Sequence, residues 1–148
     1  MFSGKDKIKV KALCIFQDDD EIFVSKSFDT VKKDYFYRPI GGTTEFCEYT
    51  IETVKREILE EMKAEIKNVT LERIWESIFV CDGINGHEIV FLYRADFVDK
   101  MNYERRKYTI IESNGEEVEA SWIKIKEFEE RKLRIVPEAL RAYLKIKE

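Results

Sequence analysis

The stretch Arg38-Pro39-Ile40-Gly41-Gly42-Thr43-Thr44-Glu45-Phe46-Cys47-Glu48, continued by residues 49–64 (YTIETVKREILEEMKA), decides how this chain is read. A glycine pair opens it, and Glu57, Glu60 and Glu61 crowd its end. Between them Ile51, Val54, Ile58 and Met62 recur at helical spacing, with Leu59 beside them. An amphipathic helix with one apolar stripe is expected. At about 100° per residue the three glutamates gather on an adjacent side. Thr50 is the expected N-cap.

Carboxylates so placed repel one another by a few tenths of a kcal/mol per pair. The last two also stand near the helix C-terminus, where the helix dipole disfavours anions. Two readings follow. One is a solvated acidic face, partly neutralised by Lys55, Arg56 and Lys63. The other is a site for a hard divalent cation such as Mg²⁺ or Mn²⁺, which prefers oxygen ligands. The front of the stretch favours the second. Gly41-Gly42 allows φ > 0 or close approach of a ligand, and a glycine loop opening onto a helix N-terminus suits phosphate.

The spacing resembles the Nudix box, Gly-x5-Glu-x7-Arg-Glu-U-x-Glu-Glu-x-Gly-U, where U is a bulky aliphatic residue. The match runs through Gly42, Glu48, Arg56, Glu57, Ile58, Glu60 and Glu61. Each fixed residue type makes up roughly 5–7% of an average chain, so six fixed positions coincide by chance about once in 10⁷ windows. Lys63 replaces the last glycine of the box, and Ala64 its last aliphatic residue. That glycine normally closes the helix in the left-handed conformation. Lys63 either adopts it, at about 1 kcal/mol, or the helix runs on to near Asn68.

The resemblance implies an α/β fold, an α/β/α sandwich with a mixed sheet and the box as a loop–helix–loop beside it. It implies Mg²⁺-dependent (or Mn²⁺-dependent) hydrolysis of a nucleoside diphosphate linked to another moiety. Glu57 and Glu61 become direct metal ligands. Glu60 becomes a further ligand or a water-orienting group, and the Gly41 carbonyl completes the shell. Arg56 and Glu48 are read as an ion pair fixing the loop to the helix, with or without catalytic consequence. Glu45 supports the loop by accepting backbone N–H bonds. The general base is Glu60 or a residue of the acidic stretch 112–119, with Glu117 or Glu116 preferred there. Arg38, Gly42 and Tyr37 are expected at the substrate. In the window beyond the box that marks some subfamilies, Glu76-Ser77-Ile78-Phe79-Val80 holds neither proline nor tyrosine. That favours a nucleoside triphosphate or another small nucleotide. The alternative is a Nudix-fold module that senses nucleotides or binds proteins without turnover, although such modules often lose the box carboxylates kept here.

The rest of the chain fits around this centre. Its 148 residues suggest one domain, residues 1–148. At 44% hydrophobic and 38% charged residues it is globular. A net charge of -4 gives no general basic surface for long nucleic acid. No apolar run has membrane-spanning length, residues 1–5 make no signal peptide, and a cytoplasmic location is expected. Oligomeric state is left open, a homodimer included. Cys14, Cys47 and Cys81 are odd in number and widely spaced, against a disulfide framework or zinc site. The single histidine, His87, excludes His-based clusters.

Residues 8–16 and 21–27 read as a hairpin around the turn 17–20, whose Asp18, Asp19 and Asp20 are solvated. Pro39 is expected to end the strand before the glycines. Residues 69–80 form one or two strands, 82–86 a turn, and 87–97 a strand buried on both faces. A polar segment, 98–115, leads to a short strand, 120–125, and Pro137 opens a C-terminal helix.

Overall fold

The computed structural model describes residues 6–112 and 114–147. Residues 1–5, read above as no leader, lie outside them. The core of the sheet is β1 (Ile8–Ile15), flanked by β6 (Ile84–Phe97) in parallel and β4 (Asp34–Thr43) antiparallel. Beyond β6 lies β5 (Ile66–Cys81). Beyond β4 come β3 (Glu21–Asp29), β8 (Glu117–Lys124) and β7 (Lys107–Ile111). Two-residue strands complete the mixed sheet, β2 (Gln17–Asp18) on β3 and β9 (Arg134–Ile135) parallel to β4.

Strand alternation sets the two layers. In β1, Ala12 and Cys14 face α1 (Thr50–Met62) and pack with its Val54, Ile58 and Met62. Leu13 and Ile15 face the other way, onto Phe128 of α3 (Ile125–Glu130) and Leu140 of α4 (Ala139–Tyr143). Each fully buried aliphatic or aromatic side chain contributes roughly 1.5–3 kcal/mol. This is the expected α/β/α arrangement. Among the described residues no helix is long and apolar enough to cross a membrane.

Several local expectations are corrected. Strands β1 and β3 are not a simple hairpin: β4 lies between them, and only Gln17–Asp18 turns back onto β3. Pro39 does not end β4, which runs on through both glycines to Thr43. Residues 66–81 form one strand, and its turn shrinks to Asp82-Gly83, both at positive φ (53° and 76°), as tight hairpins prefer. The polar segment hides α2 (Met101–Glu104) and β7, while α3 and β9 lie where no element was expected.

In α1, Thr50 is not the N-cap. Tyr49 is, and its carbonyl accepts the N–H of Glu52 and Thr53. The Thr50 hydroxyl instead meets the Tyr93 hydroxyl of β6 at 2.6 Å. Lys63 takes the left-handed conformation (φ 56°) and donates its N–H to the Leu59 carbonyl at 2.9 Å, so the helix stops on schedule without glycine. Ile51 and Leu59 lie on the solvent side. Thr53 and Glu57 occupy the rest of the buried face.

Candidate active site

Glu57 is turned inward, 5% exposed, because α1 lies flat on the sheet where β4 ends. Its carboxylate rests on Gly42. A Cβ on Gly42 would stand 2.3 Å from the Glu57 carboxyl carbon. Neither Gly41 nor Gly42 has positive φ, so what matters at Gly42 is close approach rather than backbone freedom. The space above Gly42, expected to receive substrate, is taken by Glu57. Gly41 is paired with Leu13 in the sheet, and a Cβ there would meet the Ala12 carbonyl oxygen at 2.0 Å. The glycines are therefore strand residues at the helix, not a loop.

Arg56 ties the turn 44–49 to the helix. It donates from Nε to Glu48 Oε2 at 2.7 Å and from Nη2 to Glu48 Oε1 at 3.0 Å. Glu48 Oε1 also accepts from the Thr53 hydroxyl at 2.7 Å and from the Glu45 N–H at 3.1 Å. The Arg56 guanidinium beside Glu48, with the Thr53 hydroxyl second, holds the Glu48 carboxyl down to about 2. The Arg56–Glu48 pair is as expected. The turn-supporting role is not: Glu48 accepts the backbone N–H, and Glu45 points its side chain outward, 68% exposed.

From its other side Arg56 Nη1 reaches Glu57 Oε1 at 2.8 Å and Glu60 Oε2 at 3.4 Å. Glu57 and Glu61 stand one turn apart on α1, close enough for each carboxyl to act on the other. Burial, the neighbouring Glu57 carboxyl, and the charges of Glu57 and Glu112 push Glu61 well above the usual carboxylate range, with Arg38 opposing. Two carboxyl groups therefore share a half-buried site carrying more negative charge than its own cations offset. Hard oxygen donors short of positive charge fit a divalent cation in kind. Among the described residues no three His, Cys, Asp or Glu side chains converge on one point. Glu60, 57% exposed, is held by Arg56 and stands apart from the pair.

A cavity of about 430 Å³ is bounded by β4, β5, β6, β9 and the start of α4. Arg38 lines it and also acts on Glu61, so one side chain joins the cavity to the carboxylates. Tyr37, expected there, points to the opposite face and is core, edge-on to Phe128 at 5.7 Å. Its neighbour Phe36 lines the cavity instead. Of the acidic stretch 112–119, Glu117 is exposed, because Val118 and Ala120 take the inward positions of β8. The carboxylate that reaches the site is Glu112, 3.9 Å from Arg38. The signal was available: Tyr108 and Ile110 face inward, and Glu112 keeps their parity. Lys11 was also missed. It lies within the field of Arg38, Glu88 and Glu57, and burial followed by Arg38 lowers its pKa. In the sequence it is one of several alternating lysines, with Lys7 and Lys9 before it, so nothing in the pattern singled it out. Cys14 is buried, and burial raises its thiol pKa, so it is inert.

A family model, the NUDIX domain, matches residues 7–144. Among solved structures the chain is similar to the MutT NUDIX hydrolase from Burkholderia pseudomallei, at TM-score 0.67 and 18% identity, covering 95% of this chain and 98% of that one. It is similar to the mutator MutT protein from Bacillus halodurans, at TM-score 0.61 and 22% identity, covering 93% and 80%. It is also similar to a NUDIX hydrolase from Nitrosomonas europaea, at TM-score 0.62 and 17% identity, covering 93% and 86%. At these identities the likeness is one of fold. No curated protein matches.

Proposed function

We propose, since the chain belongs to the NUDIX domain family, that it hydrolyses a phosphoanhydride bond of a small nucleotide, a nucleoside diphosphate linked to another moiety. A nucleoside triphosphate is the preferred candidate, and residues 1–148 act as one unit. The observation that carries this is the buried Glu57, laid against Gly42 one turn from Glu61, with Arg38 shared between Glu61's surroundings and a cavity of about 430 Å³.

Glu57 and Glu61 would hold a Mg²⁺ or Mn²⁺ ion, and the Gly41 carbonyl is the further ligand that the family resemblance adds. Once bound, the ion supplies charge neutralisation of the diphosphate and a more acidic water. The chain's own residues do the rest. Gly42 leaves room for Glu57 to lie flat against the strand. Arg56 and Glu48 hold the turn and keep Glu57 in one orientation. Glu112, 3.9 Å from Arg38, would accept a proton from the attacking water, and Glu60, once it leaves Arg56, is the second candidate for that role. Arg38 and Lys11 offer positive charge to the substrate phosphates.

The test is phosphate release from a nucleotide panel, with Mg²⁺ and with excess chelator. Turnover that appears with Mg²⁺ or Mn²⁺ and vanishes in chelator is expected. Turnover persisting in chelator, or absent on every nucleotide, overturns the reading.

A further inference from the structure

The cavity holds one group that the proposed hydrolysis does not use. Arg134, on β9, lines it, and its Nη1 is buried with no hydrogen-bond partner. A guanidinium only donates, and a buried donor left unpaired is costly. Such a group persists where a ligand supplies the missing acceptor.

The surroundings narrow what that acceptor is. Phe36 stands beside Arg134 in the β4–β9 pairing and lines the same cavity. Trp75 and Phe79 line the β5 side. Phe79 is seated over Gly86, where a Cβ would stand 2.3 Å from its ring. Aromatic walls suit a planar ring system. A phosphate would instead meet Glu76, Glu88 and Glu138, which also line the cavity. The volume, about 430 Å³, lies within the range of small-molecule sites. Arg38 joins the cavity to Glu61 and leaves the phosphates on the carboxylate side.

We propose that Arg134 reads the nucleobase, donating from its guanidinium to a keto oxygen and adjoining ring nitrogen on the base edge, so that the cavity favours keto-bearing bases over amino-bearing ones. This rests on the nucleotide reading above. Two neighbouring acceptors match the guanidinium fork, whereas an amino group presents a donor to a donor. Elsewhere in the cavity Lys32 is engaged, its Nζ donating to the Val80 carbonyl at 2.9 Å.

Inosine and adenosine nucleotides differ where this matters, a 6-keto against a 6-amino purine. Calorimetric titration of the full chain in Mg²⁺ would use triphosphates of both, with a methylene in place of the α,β-bridging oxygen. The native chain is expected to bind the inosine analogue at least tenfold more tightly. Arg134→Gln and Arg134→Lys are expected to bring the two within threefold while thermal melts stay cooperative. Equal binding by the native chain, preference surviving in either folded variant, or no binding of either analogue overturns the assignment. Turnover measured alongside with cleavable ITP and ATP separates the two readings. Selective binding without hydrolysis removes the hydrolase reading and keeps Arg134. Hydrolysis without selectivity does the reverse.

Discussion

Arg56 grips Glu48 through two parallel hydrogen bonds, Nε to Oε2 at 2.7 Å and Nη2 to Oε1 at 3.0 Å, while its Nη1 holds Glu57 at 2.8 Å. One guanidinium thus fixes the turn and orients the buried carboxylate. The fork geometry explains why lysine would not serve here, since an ammonium cannot bond both oxygens in one plane.

This pair gives an acid-stability prediction. The Glu48 carboxyl is held at about 2, below its ordinary 4.5. A group with a depressed folded pKa adds stability that is fully present above 4.5 and is lost as pH falls toward 2. Glu48→Gln is expected to cost about 2 kcal/mol at neutral pH, the worth of a charge-assisted bond. It should also flatten the loss of stability between pH 4.5 and 2. Denaturant melts at several pH values check this, and equal acid slopes for native and variant would refute it.

The two glycines should separate fold from activity. Gly42→Ala pushes its methyl into the far end of the Glu57 side chain, which can move aside. The expected cost is about 1 kcal/mol, or about 3 °C in melting temperature, with activity down more than tenfold as Glu57 is displaced. Gly41→Ala meets the Ala12 carbonyl in the sheet, which cannot yield, and should lose the fold. Melting curves and turnover on both variants decide.

Glu57→Gln and Glu61→Gln should each lower turnover at least a hundredfold, about 2.7 kcal/mol of transition-state stabilisation. In chelator the stability of Glu61→Gln should hold or rise, because it removes one of two crowded carboxylates, whereas Glu57→Gln also weakens the bond from Arg56 and should lose some stability while staying folded. Unfolding of both variants would return these residues to a purely structural role.

The box was legible because its information is local. Fixed spacing on one helix turns Glu57 and Glu61 to one side, and Arg56 to Glu48, wherever the helix packs. What failed depended on which face the sheet covers. Ile51 and Leu59 complete the helical stripe in sequence, yet α1 turns Thr53 and Glu57 toward the sheet, and both apolar residues face solvent. Tyr37 and Phe36 look interchangeable in a row of aromatics, and only pairing parity sends Tyr37 to the core and Phe36 to the cavity. Helix α3 buries one residue, Phe128, too little to show as periodicity. Arg134 left no trace, because a buried unpaired guanidinium is a tertiary fact.

The same parity argument yields the last prediction. Sequence pointed to Glu117 or Glu116 as the base in this stretch, but both are exposed and β8 turns Glu117 outward, while Glu112 lies 3.9 Å from Arg38 and within the field of Glu61. A carboxylate there can act on water or phosphate delivered to the Glu57–Glu61 pair. One on the outer side of β8 cannot without breaking its pairing with Ile111. Glu112→Gln is therefore expected to lower kcat at least tenfold with little change in KM, the pattern of an interaction made in the transition state. Glu117→Gln should stay within twofold of native. Steady-state kinetics on the two variants test the assignment directly. A Glu112→Gln enzyme within twofold of native would return the proton-transfer role to Glu60, and a deficit confined to Glu117→Gln would mean that this hairpin rearranges when substrate binds.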